Sequence, residues 1–82
     1  MVMQSINNTE QSSLVTDTYS EYLIEYDNEA LVVYLSGLDE DGFWIELATY
    51  DEVNNPEDFA QGIQETLRLA SLFSTVTKVE YS

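Results

Sequence analysis

Carboxylates are the only side chains in this sequence that invite a chemical reading. The stretch Gly37 to Gly42 reads GLDEDG and sets Asp39, Glu40 and Asp41 in a row between two glycines. Hard cations such as calcium take oxygen ligands from loops of this kind. The EF-hand spacing nevertheless fails. With Gly42 at the glycine position, Asp39 and Asp41 fall on ligand positions, but the first position is Gly37 and the final bidentate position is Ala48. No metal site is expected, and the run reads as a solvated acidic turn. Paired carboxylates can also cleave glycosides, but that requires a cleft and one carboxyl group with a raised pKa. A chain of 82 residues offers little room for such a cleft. There is no histidine and no cysteine. That removes the usual general base, the serine triad, thiolate nucleophiles and the usual zinc sites. No catalytic residue and no cofactor is expected, so the chain is not read as an enzyme.

Charge is the strongest compositional signal. Sixteen acidic residues face two basic ones, Arg68 and Lys78, for a formal net charge of −14. Such a chain cannot make the phosphate contacts of direct nucleic-acid binding, and anionic membrane surfaces should repel it. A partner protein with a basic surface would be steered towards it. One specific form of that idea is nucleic-acid mimicry, in which carboxylates stand where a DNA- or RNA-binding protein expects phosphates. The candidates are Asp39, Glu40, Asp41, Asp51, Glu52, Glu57, Asp58 and Glu65. The plain alternative is an acidic surface that only keeps the protein soluble. The opening MVMQSINN has no basic residue and no long apolar run, so no secretion signal is expected. No window approaches the roughly 18 apolar residues of a membrane span. With the absence of cysteine, these features favour a cytoplasmic protein. Asn7-Asn8-Thr9 matches a glycosylation sequon, which carries no meaning in that setting.

The element that must position everything else runs from Asn55 to Phe73. Asn55 is a good N-cap, Pro56 suits the first helical position, and Glu57 and Asp58 place negative charge in the first turn. At 100° per residue, Phe59, Ile63, Thr66, Leu67, Ala70 and Phe73 share one broad face, with Glu57, Gln61, Gln64 and Arg68 opposite. Gly62 lies at the edge of the apolar face, where close approach to a sheet would explain it. Leu69 and Leu72 fall outside the core arc and form a candidate contact patch.

Four strands are expected around this helix. Tyr19 to Tyr26 alternates, with Tyr22, Ile24 and Tyr26 on one face. Asp27-Asn28 is a hairpin signal. Glu29 to Ser36 is apolar on both faces and reads as a central strand ended by Gly37. Phe43 to Tyr50 is the third strand and Thr75 to Tyr81 the fourth. The predicted fold class is therefore α+β, a small antiparallel sheet in β-β-β-α-β order with the amphipathic helix on one face. Residues 1–18, rich in Ser, Thr, Asn and Gln, read as a flexible N-terminal tail in which Leu14 and Val15 could add a short edge strand or extend the first strand backwards; residues 19–82 form the single domain.

One helix covers one side of a sheet. The alternation sends Ile24, Leu31, Val33, Leu35, Ile45, Leu47 and Val79 towards the helix. It leaves Leu23, Val32, Tyr34, Trp44, Ala48 and Tyr50 on the open side, with Glu21, Glu25 and Glu46 among them. Aromatic side chains of this kind are enriched at protein interfaces. The expected function is a small acidic protein-binding module, an adaptor or regulator, acting through this open face and the acidic surface. Cross-strand aromatic packing alone, cover by the tail, and self-association are the other outcomes considered for the face.

Overall fold

The computed structural model describes residues 19–81, so the expected tail, with Leu14 and Val15, lies outside the described residues. Strands β1 (Glu21–Asp27), β2 (Val32–Leu38) and β3 (Trp44–Tyr50) are followed by helix α1 (Pro56–Ala70) and strand β4 (Thr75–Glu80). The four strands form one sheet in the order β3-β2-β1-β4. The first three make an antiparallel meander, and β4 lies against β1 in parallel. The α+β class and the β-β-β-α-β order are as expected; the sheet is antiparallel through the meander and mixed at β4, where the helix provides the crossover that a parallel neighbour requires.

The first hairpin is longer than the Asp27-Asn28 signal suggests. The Asp27 carboxylate accepts from the N–H groups of Glu29 (2.9 Å) and Ala30 (3.0 Å), and the Leu31 N–H donates to the Asp27 carbonyl at 2.9 Å. Leu31 therefore sits in the loop with φ of +60° and is not a core strand residue. The second hairpin is shorter than expected, because β2 runs through Gly37 to Leu38. Gly37 is there for space. A Cβ on it would lie 2.8 Å from Cγ of the Tyr19 ring and 3.1 Å from Leu47 Cδ1. The turn itself is closed by Asp39, whose carboxylate accepts from Asp41 N–H (2.9 Å) and Phe43 N–H (2.8 Å), with Gly42 at φ +86°.

A β-bulge decides which residues of β3 face the helix. Leu35 pairs with Ala48 and Ser36 with Glu46, so Leu47 is the extra residue. Ile45 and Leu47 lie on the helix side as expected. Beyond the bulge the alternation inverts, and Ala48 and Tyr50 also turn to the helix side rather than to the open side. In β4 the expected parity is reversed. Val76, opposite Tyr22, is buried under the helix, and Val79, opposite Glu25, faces away. Lys78 takes the helix side because it is at a sheet edge and reaches the helix flank, donating from Nζ to Gln61 Oε1 at 2.6 Å.

Helix α1 starts where its residues dictate. The Asn55 side chain accepts from Asp58 N–H at 3.3 Å, and Pro56 follows. It ends at Ala70, three residues before Phe73. Ser71 donates its N–H to the Leu67 carbonyl at 2.7 Å, and the chain turns there. Leu72 and Phe73 consequently leave the helical register, and Phe73 is fully exposed instead of buried.

The helix is also rolled relative to its apolar arc. Pro56, Ala60, Gln64 and Leu67 are buried, while Phe59, Thr66 and Ala70 are exposed. Gln64, expected outward, donates from Nε2 to the Val76 carbonyl at 3.0 Å and ties the helix to the β4 edge. The small Ala60 lets the helix settle over β1 and β4, with a lesser contact to β2. Strands about 4.8 Å apart make a four-stranded sheet about 14 Å wide between its outer axes, and packed helices need about 8–10 Å each. One helix therefore covers about half of this sheet. The core is correspondingly small: Tyr22, Ile24, Tyr26, Val33, Leu35, Ala60, Leu67 and Val76.

Candidate functional site: two uncovered surfaces

The open face of the sheet is built from β1 and β2 at its centre. Leu23, Val32, Tyr34 and Leu38 are half-buried there, with Trp44 on the β3 edge and Val79 and Tyr81 on the β4 side. The cross-strand register separates the aromatic residues into two groups. Trp44 stands opposite Leu38 at one end. Tyr34 pairs with Glu25, and that residue with Val79, at the other end, where the Tyr34 and Tyr81 rings meet edge-on at 6.1 Å. Leu23, Ser36 and Glu46 lie between the groups, and the Glu46 carboxylate accepts a hydrogen bond from the Thr49 hydroxyl. Glu21, Glu25 and Asp27 complete the polar part of the face. Neither cation is on it, since Lys78 points to the helix side and Arg68 is in the last helical turn.

Four of the residues expected at a contact surface, Leu23, Val32, Tyr34 and Trp44, thus share the open face. Tyr50 is on the other side of the sheet because of the bulge. Its ring packs edge-on against Phe59 at 4.9 Å. Leu69 and Leu72 are exposed near the end of α1, beside exposed Phe73, and belong to neither group. Val79, Tyr81 and Leu38 join the open face without having been expected there. A lone lysine on an edge strand was the available sign, because it permits Lys78 to face inward and turns Val79 outward.

The acidic residues are not one surface. Asp39, Glu40 and Asp41 occupy the β2–β3 turn, and Asp51, Glu52, Glu57 and Asp58 cluster around the opposite end of β3 and the helix start. The seven residues of β3 separate the two sets by about 20 Å. Asp39 spends one carboxylate oxygen on the turn. Glu65 is on the outer helix surface, where its carboxylate accepts from Gln61 Nε2 at 3.0 Å. Among the described residues no group of three or more His, Cys, Asp or Glu side chains is placed to hold a metal ion. No helix among them is long and apolar enough to cross a membrane. Among the described residues Tyr26 is displaced from its ordinary value: its phenol is raised above 10.0 by burial, with Glu57 and Glu80 adding to the effect.

Among the described residues, a second uncovered surface lies on the helix side. Between α1 and the β2–β3 half of the sheet runs an open groove of about 480 Å³, lined by Leu35, Tyr50, Phe59, Ile63 and Leu67, with Asp58, Gly62 and Thr66 at its helix wall. The Thr66 hydroxyl is already satisfied by donating to the Gly62 carbonyl at 2.9 Å. The close approach to the sheet expected of Gly62 from sequence is not made: a Cβ there would meet nothing within 4 Å. In a helix interior that glycine sacrifices about 1 kcal/mol relative to alanine, with no compensating contact among the described residues. Comparison of the chain with family models, with curated proteins and with solved structures gave no match.

Proposed function

We propose that this protein is a small acidic binding module that engages a basic surface of a partner protein through the open face of its sheet. The observation that supports this reading is the composition of that face. Trp44, Tyr34 and Tyr81 stand among Glu21, Glu25, Asp27 and Glu46, and both cations of the chain are elsewhere. Exposed aromatic groups supply buried area at small entropic cost, and the carboxylates steer a cationic partner and fix its register. Two aromatic groups, with Leu23, Ser36 and the Glu46 carboxylate between them, suit a partner that presents two apolar contacts flanking a lysine or arginine.

The test is capture from native cell extract on the immobilised full chain, with and without nuclease, at low salt and at about 0.5 M salt, where exposed charge attraction is strongly screened. A protein held after nuclease treatment at both salt concentrations supports the reading. Release of nucleic-acid-binding proteins by salt or by added DNA would favour a nucleic-acid mimic instead.

A further inference from the structure

The groove on the helix side has a physical demand of its own, independent of the open face. The apolar arc of α1 is only partly used. Ile63 and Leu67 meet the sheet, while Phe59 (39 % exposed) and Thr66 line the groove beside β2 and β3. On the sheet, Leu35 and Tyr50 form the floor of the same groove, and Ile45 on the β3 edge is 41 % exposed. The uncovered strip is about two strands wide, the width that one packed helix covers. Gly62 lines that strip and has open space in front of it. Packing among the described residues does not account for its missing side chain, which leaves room for a backbone or side chain to seat against it.

Charge decides among the candidate occupants. The charged residue lining the groove is Asp58, and Asp51 and Glu52 follow directly on Tyr50. Lys78 is on the other flank of α1, bound to Gln61. A second copy would bring another net charge of −14, and residues 1–18 contain Glu10 and Asp17 but no basic residue. A cationic segment with one apolar face fits where these do not. We propose that the groove between α1 and β3 receives an amphipathic, basic α-helix of a partner protein, its apolar residues against Leu35, Tyr50, Phe59 and Ile63 and its lysines or arginines towards Asp58 and the acidic end of β3.

The probe is a labelled 16-residue peptide of leucines at helical spacing on a lysine background, about 24 Å long as a helix, titrated into the full chain by fluorescence anisotropy. A scrambled peptide of the same composition carries the same charge without the apolar face. The expected result is binding at least tenfold tighter than the scrambled peptide, weakened at least tenfold by Gly62→Leu and unchanged within twofold by Trp44→Ala, which alters the opposite side of the sheet. Gly62→Ala should raise the melting temperature by about 4 °C while weakening the peptide, which separates loss of docking from loss of fold. Equal binding of the scrambled peptide, or no effect of Gly62→Leu in a folded protein, would overturn the proposal. So would tenfold tighter binding by Leu14→Ser/Val15→Ser, which would assign the groove to residues 1–18, or a wild-type dimer that Gly62→Leu dissociates. Because the Gly62 variants leave the open face untouched, their failure leaves the proposed function standing, and failure of Trp44→Ala to affect partner capture leaves the groove standing.

Discussion

Tyr50 and Phe59 meet ring against ring, 4.9 Å between centroids and 65° between planes, and make the aromatic bridge between β3 and the helix. The bridge exists because the bulge at Leu47 turns Tyr50 to the helix side. Edge-on aromatic pairs contribute about 1 kcal/mol beyond the area they bury. Tyr50→Ala should therefore lower unfolding stability by about 2 kcal/mol in urea titrations. A double-mutant cycle with Phe59→Ala should give a coupling of about 1 kcal/mol. Additive single effects would mean that Tyr50 does not reach the helix.

Tyr26 links the core to alkaline pH. It is buried, and Lys78 Nζ stands 6.0 Å from its ring centroid. Its phenol is raised by burial first, then by Glu57 and Glu80. A pKa raised in the folded state gives a contribution that is fully present below the unfolded value of 10.0 and is lost as pH climbs through the folded value. Stability should therefore fall above pH 10, and Tyr26→Phe should flatten that fall. In an absorbance titration, a group that ionises above pH 10.0 should be missing from the Tyr26→Phe protein. Loss of an early-ionising group would contradict the assignment.

Asp39 acts through its oxygen acceptors, not through its charge. Asp39→Asn keeps an acceptor for Asp41 N–H and Phe43 N–H and should cost under about 0.5 kcal/mol, whereas Asp39→Ala should cost about 1 kcal/mol. Chemical denaturation of the two variants distinguishes them, and equal losses would show that the carboxylate charge matters instead.

Ser71 is a local defect in the packing. Its residue is buried at the helix end, and its hydroxyl has no hydrogen-bond partner among the described residues. A buried hydroxyl left unpaired costs about 1–3 kcal/mol. Ser71→Ala should raise stability by about 1 kcal/mol, read as an increase in the urea midpoint without a change in slope. A lowered midpoint would show that the hydroxyl is paired in solution.

The parts of the fold that were legible in the sequence are those set by local chemistry. Asn55 and Pro56 mark the helix start because an N-cap acceptor and a pre-set φ are needed there. Tyr22, Ile24 and Tyr26 mark the buried face of β1 because a strand has a period of two. What escaped depends on packing between elements. The bulge at Leu47 has no marker in WIELATY, and it moved Tyr50 from the proposed contact face to the groove. The helix roll follows from the small Ala60 and from a carbonyl on β4 that satisfies Gln64, neither of which periodicity can weigh. The groove was invisible for the same reason: the arc of Phe59, Ile63 and Thr66 looked like core until the width of the sheet exceeded the reach of one helix. Gly62 was the clue available in advance, a helix-interior glycine misread as a close contact within the domain.

The most direct measurement of the central claim is the affinity of the captured partner for wild type against Trp44→Ala. Trp44 is the chain's single tryptophan and is 49 % exposed on the open face, so its removal should leave the fold intact. Binding through that face predicts at least a tenfold loss of affinity, about 1.4 kcal/mol, with an unchanged melting temperature. Equal affinities in two folded proteins would contradict the open face as the binding surface.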